Sequence, residues 1–265
     1  MCGVVGIYGN DEVVRDIYQG LLALQHRGQD SAGIITYSNR FHIKKGNGLV
    51  RDIFTAEHVQ RLRGNIGIGH TRYPTIGGVR GEDAQPFLVN SPFGIIMAHN
   101  GNVINYAELK KTLFEKYHRL LNSDNDVEII LNIFAQALAE QKTRTLKPQH
   151  VFKAVQEVFK RVKGGYSVVA YIAEEGIVAF RDPYGIKPLL YGRRYDGLQP
   201  SYAVASESDH PSFGNIGHNG IAALNLPGHA FHSLKYILRL QFFWFLFGQF
   251  LGKDIQDDFH IIIRV

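Results

Sequence analysis

Two β-sheets packed face to face, with helices on their outer surfaces, is the fold class this sequence predicts. Three observations lead there. Short apolar strands occupy both ends of residues 2–206, helical patterns lie together in the middle, and strands and helices do not alternate as a doubly wound parallel sheet requires. At 265 residues and 45% hydrophobic content, the chain can bury such a core without disulfides or metal staples.

The first strand is CGVVGIY, from Cys2 to Tyr8. Asn10, Asp11 and Glu12 then supply an N-cap and an acidic first turn for a helix carrying Val14, Ile17, Leu21 and Leu24 at helical spacing. Gly28 ends that helix, and AGIITY (32–37) is the next strand. NIGIGHT (65–71) and GIIMAH (94–99) are further strands, each running straight into polar residues. Three helices follow, marked by Tyr106, Leu109, Leu113 and Tyr117, by Val127, Ile130, Leu131, Phe134 and Leu138, and by Val151, Val155, Val158 and Val162. Strands return as YSVVAYI, GIVAF, PLLYG and YAVAS between Tyr166 and Ser206. Residues 233–265 differ in character. Their apolar run QFFWFLFGQFL holds the only tryptophan, and it is shorter than the roughly 20 residues of a membrane-spanning helix. Lys235 and Arg239 interrupt any longer version, so no membrane association is expected.

Composition narrows the chemistry. The single cysteine, Cys2, excludes an internal disulfide, a Cys-rich zinc site and a four-cysteine cluster, and it points to a reducing, cytoplasmic setting. No secretory segment precedes it. The net charge of +5 is spread along the chain without a dense basic run, so no nucleic-acid partner is expected.

Several short stretches carry residues that can do chemistry. Once Met1 is removed, Cys2 presents a thiol and a free α-amine on one residue. Their ordinary pKa values, about 8.5 and about 7.7–8.0, let the amine take the thiol proton near neutral pH. The plainer reading is a small apolar residue at a strand start. In GHTRYPT (69–75), Arg72 can clamp a carboxylate with its planar fork, or sit in a surface ion pair. In AHNGN, the pair Asn100-Gly101 reads by itself as a tight hairpin turn, with an oxyanion site from the Asn100 amide and the Gly101 N–H as its chemical alternative. In NSDNDVE, Ser123 and Asp126 have capping-box-like spacing, and the alternative makes Asp126 a ligand for an ammonium group. Arg27 and Gly28 read as a helix C-terminus with a dipole-complementing arginine. RDPYGIKPL (181–189) reads as a structural turn between strands.

Taken together, MCGVVGIYG, LQHRGQDSAGI, GNGLVRDIF, GHTRYPT, EDAQPF, AHNGN, SDNDVE, FRDPYGIKPL and VASES strongly resemble the N-terminal glutaminase domain of amidophosphoribosyltransferases, in family order over residues 1 to about 208. The resemblance implies an α+β fold, a four-layer αββα sandwich of the N-terminal-nucleophile hydrolase type. It implies Cys2 as nucleophile, Asn100 and Gly101 as oxyanion hole, Arg72 on the α-carboxylate of glutamine, Asp126 on its α-ammonium, and Arg27 orienting the nucleophile. Asp124 competes with Asp126 for the ammonium, because the local pattern departs from Ser-Asp-Ser-Glu. The implied domain spans residues 2–232, with 233–265 as an atypical apolar tail in which NLPGHAF (225–231) is the last familiar segment. Nothing after Ser208 resembles the family's phosphoribosyltransferase domain, so a truncated or altered product is expected. Phosphoribosyl pyrophosphate and magnesium would enter only through that missing domain. The iron–sulfur cluster of some members lacks its cysteines here, and no cofactor is expected within the chain. The competing readings are another class II amidotransferase, against which Gln29 and Tyr73 speak, and a non-catalytic fragment that acts as an interaction module. The sequence leaves open whether the chain forms a homo-oligomer.

Overall fold

The computed structural model describes residues 1–73, 83–195 and 200–207, together with the backbone of 209–210, 214–215 and 260–264. The predicted Pro74 and Thr75, Glu82, Ser208 and the NLPGHAF segment lie outside these residues, as do the 232/233 boundary and the aromatic run of the tail.

One six-stranded antiparallel sheet contains β1 (Gly3–Tyr8), β2 (Ser31–Ser38), β3 (Arg40–Asn47), β4 (Ile66–Arg72), β9 (Leu190–Tyr195) and β10 (Pro200–Ala205). Their order across it is β3-β2-β4-β1-β10-β9. The second sheet holds β5 (Phe87–Val89), β6 (Ile95–Val103), β7 (Gly164–Ile172), β8 (Gly176–Arg181) and β13 (His260–Arg264), in the order β13-β8-β7-β6-β5. Two-residue strands β11 (Asp209–His210) and β12 (Gly214–Asn215) pair with each other. Helices α1 (Val14–Ala23), α2 (Val50–Ile53) and α3 (Ala56–Arg61) belong to the first half of the chain. Helices α4 (Tyr106–Tyr117), α5 (Asp126–Ala139) and α6 (Pro148–Arg161) lie between β6 and β7 in sequence.

Three separate apolar cores define four layers. Val5, Ile7, Ile34 and Ala203 of the first sheet pack with Val14, Ile17 and Leu21 of α1. Ile95, Met97, Val168 and Phe180 of the second sheet pack with α4, α5 and α6. Between the sheets lie Val4, Ile35, Ile68, Ile96, Ala98, Val169 and Val204. The period-2 alternation of strand side chains explains the split: Val4 faces inward and Val5 outward, Ile96 inward and Met97 outward. Two of the outward positions of β4, Gly67 and Gly69, are glycines. A Cβ on Gly69 would stand 2.5 Å from the Ile17 side chain, so the glycine lets α1 lie close on the sheet.

The αββα architecture and the predicted helices are present. Several local expectations are corrected. The acidic run does not cap α1; its N-cap is Val13, with no side-chain cap and its amide on the Gly64 carbonyl at 3.0 Å. Residues 24–27 form a 3₁₀ turn after α1, and Gly28 is extended at φ −165° rather than left-handed. It is glycine for another reason: a Cβ there would sit 2.5 Å from the Arg72 carbonyl carbon. Asn100-Gly101 is no hairpin turn. Both residues lie inside β6, opposite Ser167 and Tyr166 of β7, and a Cβ on Gly101 would meet the Gly165 carbonyl oxygen at 2.3 Å. Ser123 and Asp126 do not make a capping box either. Asn125 is the N-cap of α5, accepting from the Val127 amide, and the Ser123 hydroxyl turns instead to Glu128 at 2.7 Å. The strands β3 and β5 and the short helices α2 and α3 carry too few periodic apolar residues to have been predicted. The RDPYGIKPL turn is structural as expected: buried Asp182 accepts from the amides of Tyr166, Tyr184 and Ile186. Part of the 233–265 segment, His260–Arg264, forms the edge strand beside β8.

Candidate active site

Alternation along three strands gathers the predicted residues. Cys2 precedes β1 in the inward register of Val4, Arg72 continues the inward register of Ile66 and Ile68 on β4, and Asn100 that of Ile96 and Ala98 on β6. β1 and β4 are neighbours, pairing Gly3 with Thr71, and both pack across from β6. Three chain segments far apart in sequence therefore meet at one end of the sandwich.

Cys2 is held at both of its backbone groups. Its nitrogen donates to Asn100 Oδ1 at 3.1 Å, and its carbonyl accepts from Arg27 Nε at 2.9 Å. Its thiol, in a residue 8% exposed, lies 3.8 Å from the Tyr73 carbonyl oxygen. Burial pushes the Cys2 thiol up. The Tyr73 backbone, the positive chain terminus and Arg72 pull the other way, while the Asp126 carboxylate adds to the rise.

Asn100 spends only one end of its side chain on Cys2. Among the described residues, its buried Nδ2 has no hydrogen-bond partner. A buried amide donor without a partner costs stability. The neighbouring backbone supplies another. Tyr166 directs its N–H and C=O to Asp182, so the opposing pair Gly101–Tyr166 is a non-hydrogen-bonded one and the Gly101 N–H points away from β7. On that same side of β6, the His99 amide is taken by Gln85 Oε1 at 2.8 Å and the Val103 amide by Asp126 Oδ2 at 3.0 Å. The Gly101 amide lies between these two.

Arg72 is buried, 7% exposed, and not in a surface ion pair. Among the described residues its Nη1 has no hydrogen bond, and it lies 4.0 Å from Asp83 Oδ2. Asp126 sits at the start of α5, its Oδ1 3.1 Å from His99 Nε2. Burial alone would raise its carboxyl; the His99 imidazole and the Val103 amide outweigh this and hold it below the ordinary carboxylate range. Asp124, by contrast, is a surface residue paired with Lys110 at 3.0 Å. The two aspartates that the sequence left open thus have different surroundings, one beside His99 and Val103 and the other at the surface. Among the described residues, no three His, Cys, Asp or Glu side chains gather to hold a metal ion, and no helix is long and apolar enough to cross a membrane.

Sequence reasoning missed the histidines. His70 is fully buried behind the site, with Nε2 3.1 Å from the His99 carbonyl oxygen. His99 points to the opposite face of β6 from Asn100, where it meets Asp126. A signal existed: each histidine extends an apolar strand, so alternation alone could have assigned its face. Burial, and then His99, push the His70 imidazole down to about 3. It therefore stays neutral in the fold, while an unfolded histidine protonates below about pH 6.5. Stability linked to His70 is intact above that pH and is lost progressively as pH falls toward 3. At about 1.4 kcal/mol per pKa unit, the loss at pH 5 is about 2 kcal/mol. Unfolding midpoints should fall between pH 7 and 5, and more gently in His70→Gln; equal slopes in both proteins would refute the assignment.

The comparisons with known proteins point to one domain family. The model of the glutamine amidotransferase domain family matches residues 70–210, just over half of the chain. The amidophosphoribosyltransferase of Escherichia coli strain K12 is 52% identical over 211 residues, covering 78% of this chain and 42% of that protein. The Schizosaccharomyces pombe amidophosphoribosyltransferase is 45% identical over 213 residues, covering 78% and 40%. Among solved structures, the Bacillus subtilis glutamine phosphoribosylpyrophosphate amidotransferase, complexed with ADP and GMP, superposes with a TM-score of 0.65 at 30% identity, over 78% of this chain and 42% of that one. A predicted glutamine amidotransferase from Pseudomonas aeruginosa, at 14% identity and TM-score 0.55, shares the fold over 82% of this chain and 92% of its own. The chain thus spans about two fifths of the length of the curated relatives it matches. By the family match, it belongs to the glutamine amidotransferase domain family, and the curated relatives it is similar to are amidophosphoribosyltransferases.

Proposed function

We propose that this chain hydrolyses the side-chain amide of glutamine, with Cys2 as nucleophile once Met1 is removed. One observation carries the reading: the Cys2 nitrogen rests on Asn100 Oδ1 while the buried Nδ2 of the same side chain is unpartnered. A single residue thus orients the base and offers a donor for the oxyanion.

The steps follow from those positions. The freed Cys2 amine takes the thiol proton, and the thiolate attacks the amide carbon. Negative charge develops on the amide oxygen, where Asn100 Nδ2 and the Gly101 N–H receive it. The amine returns its proton to the departing nitrogen, which leaves as ammonia, and a thioester remains. Water, activated by the same amine, releases glutamate. Arg72 clamps the α-carboxylate, and the Asp126 carboxylate, kept ionised by its surroundings, takes the α-ammonium. Arg27 orients the nucleophile through its carbonyl. No cofactor enters, because nucleophile, base and oxyanion donors all belong to the chain. The ammonia would serve a phosphoribosyl pyrophosphate acceptor on a domain outside this sequence, as the names of the relatives suggest, and the setting would be cytoplasmic, where a lone thiol stays reduced.

The test is glutamate release from glutamine by purified chain whose intact mass shows Met1 removed. Turnover is the expected result. A processed, folded chain that releases no glutamate overturns the reading.

A further inference from the structure

Ser206 and Glu207, at the exit of β10, have no part in the chemistry above, yet both act on the segment that carries the nucleophile. Ser206 holds Val4 twice: its amide donates to the Val4 carbonyl at 3.0 Å, and its hydroxyl accepts from the Val4 amide at 3.1 Å. Glu207 reaches further toward Cys2. One of its carboxylate oxygens pairs with Arg27 Nη1, and the other lies 2.9 Å from His26 Nε2.

The Arg27 side chain is 5% exposed. A guanidinium so far out of water needs a partner, and among the described residues Glu207 is the carboxylate paired with it. The guanidinium is planar, so fixing Nη1 also fixes the direction of Nε–H. That Nε–H is the group bound to the Cys2 carbonyl. The third nitrogen, Nη2, touches the Met1 sulfur at 3.8 Å, a contact that disappears with Met1. After processing, Glu207 and the Cys2 carbonyl are what remain among the described residues to hold the guanidinium.

We propose that Glu207 is a positioning residue for the nucleophile: by holding Arg27 it fixes the Cys2 carbonyl, and so the placement of thiol and amine against Asn100. The proposal rests on the reading of Cys2 as nucleophile. With the nitrogen bound to Asn100 and the carbonyl bound to Arg27, the Cys2 backbone is clamped on both sides, which leaves the thiol one torsion to search. Without the carbonyl clamp the residue swings, and fewer encounters have attack geometry.

Labelling of Cys2 by a diazoketone analogue of glutamine, followed by intact mass, gives a saturating rate and a half-saturating concentration. Glu207→Gln keeps size and one acceptor oxygen but removes the charge. It should lower the saturating rate about 10-fold and leave the half-saturating concentration within about twofold. Arg27→Lys should do the same, and the double variant should be no slower than either single one, since the two act as a unit. Ser206→Ala loosens β1 without touching Arg27; it should lower the unfolding temperature and leave the saturating rate unchanged. An unchanged rate in Glu207→Gln, multiplicative losses in the double variant, or an equal loss in Ser206→Ala each overturns the proposal. If the wild-type chain is not labelled at all, the nucleophile reading fails first and this proposal falls with it.

Discussion

Replacing Cys2 with alanine is expected to lower glutamate release by about 10³-fold or more, to the level of solvent hydrolysis, while leaving the chain folded. The two halves of that expectation have separate grounds. Loss of activity follows because no other thiol exists in the chain, so no neighbour can take over the thioester. Retention of the fold follows because the change removes one sulfur at a strand end, and the backbone bonds to Asn100 and Arg27 remain available. Cys2→Ser is the sharper probe. It keeps the amine and a nucleophilic atom, but a hydroxyl ionises far less readily than a thiol, so the amine can no longer generate useful amounts of the anion. Serine should therefore be nearly as inactive as alanine. Chain that retains Met1 should also be inactive, because the nitrogen resting on Asn100 is then an amide and cannot accept a proton. Measured turnover in Cys2→Ala would remove Cys2 from the mechanism, whereas turnover in the Met1-retaining chain alone would remove only its amine.

How much of this was legible beforehand differs from residue to residue. The layered fold was readable because β1, β6, β7 and α5 are apolar runs buried along nearly their whole length, while α6 carries a clear helical period. The places of Cys2 at the start of an apolar strand and of Arg72 at the exit of another were readable from their neighbours in sequence. The Asn100-Gly101 pair shows where local rules stop. An Asn-Gly dipeptide after an apolar run is a good turn signal, but here the run of backbone pairing with β7 continues through it. Gly101 is needed because the β7 backbone crowds it, a contact 65 residues downstream in the paired register that no local window contains. Gly28 teaches the same lesson, since its constraint comes from Arg72 and not from its own torsion. The different surroundings of Asp124 and Asp126 had no local signal, since they follow from where α5 starts: Asp126 turns to Val103, and Asp124 stays at the surface with Lys110. Glu207 lies within the VASES stretch, but its partner was illegible, because it stands 180 residues earlier.

Asn100→Asp is expected to lower kcat for glutamine hydrolysis by about 10²–10³-fold, or about 3–4 kcal/mol of transition-state stabilisation, with KM nearly unchanged. The substitution is nearly isosteric and keeps an oxygen to accept from the Cys2 nitrogen, so the clamp on the nucleophile persists. What it removes is Nδ2, and what it puts there is an anion, at the place where the amide oxygen gains charge. The oxyanion exists only after attack begins, so the loss should appear in kcat and not in binding. A second effect runs in the same direction. The added negative charge would push the Cys2 thiol, already raised by burial and by Asp126, further up, so less thiolate forms at pH 7. The two contributions separate with pH. Raising the pH restores thiolate and recovers only the second, so a deficit of about 10²-fold should persist where the thiol of both proteins is ionised. If the variant regains wild-type kcat at high pH, Asn100 serves only to tune the thiol, and the oxyanion would have to be held by the Gly101 N–H alone. If instead KM rises while kcat stays constant, Asn100 contacts the bound substrate in its ground state, and the donor left unpartnered in the buried site belongs to recognition rather than to catalysis.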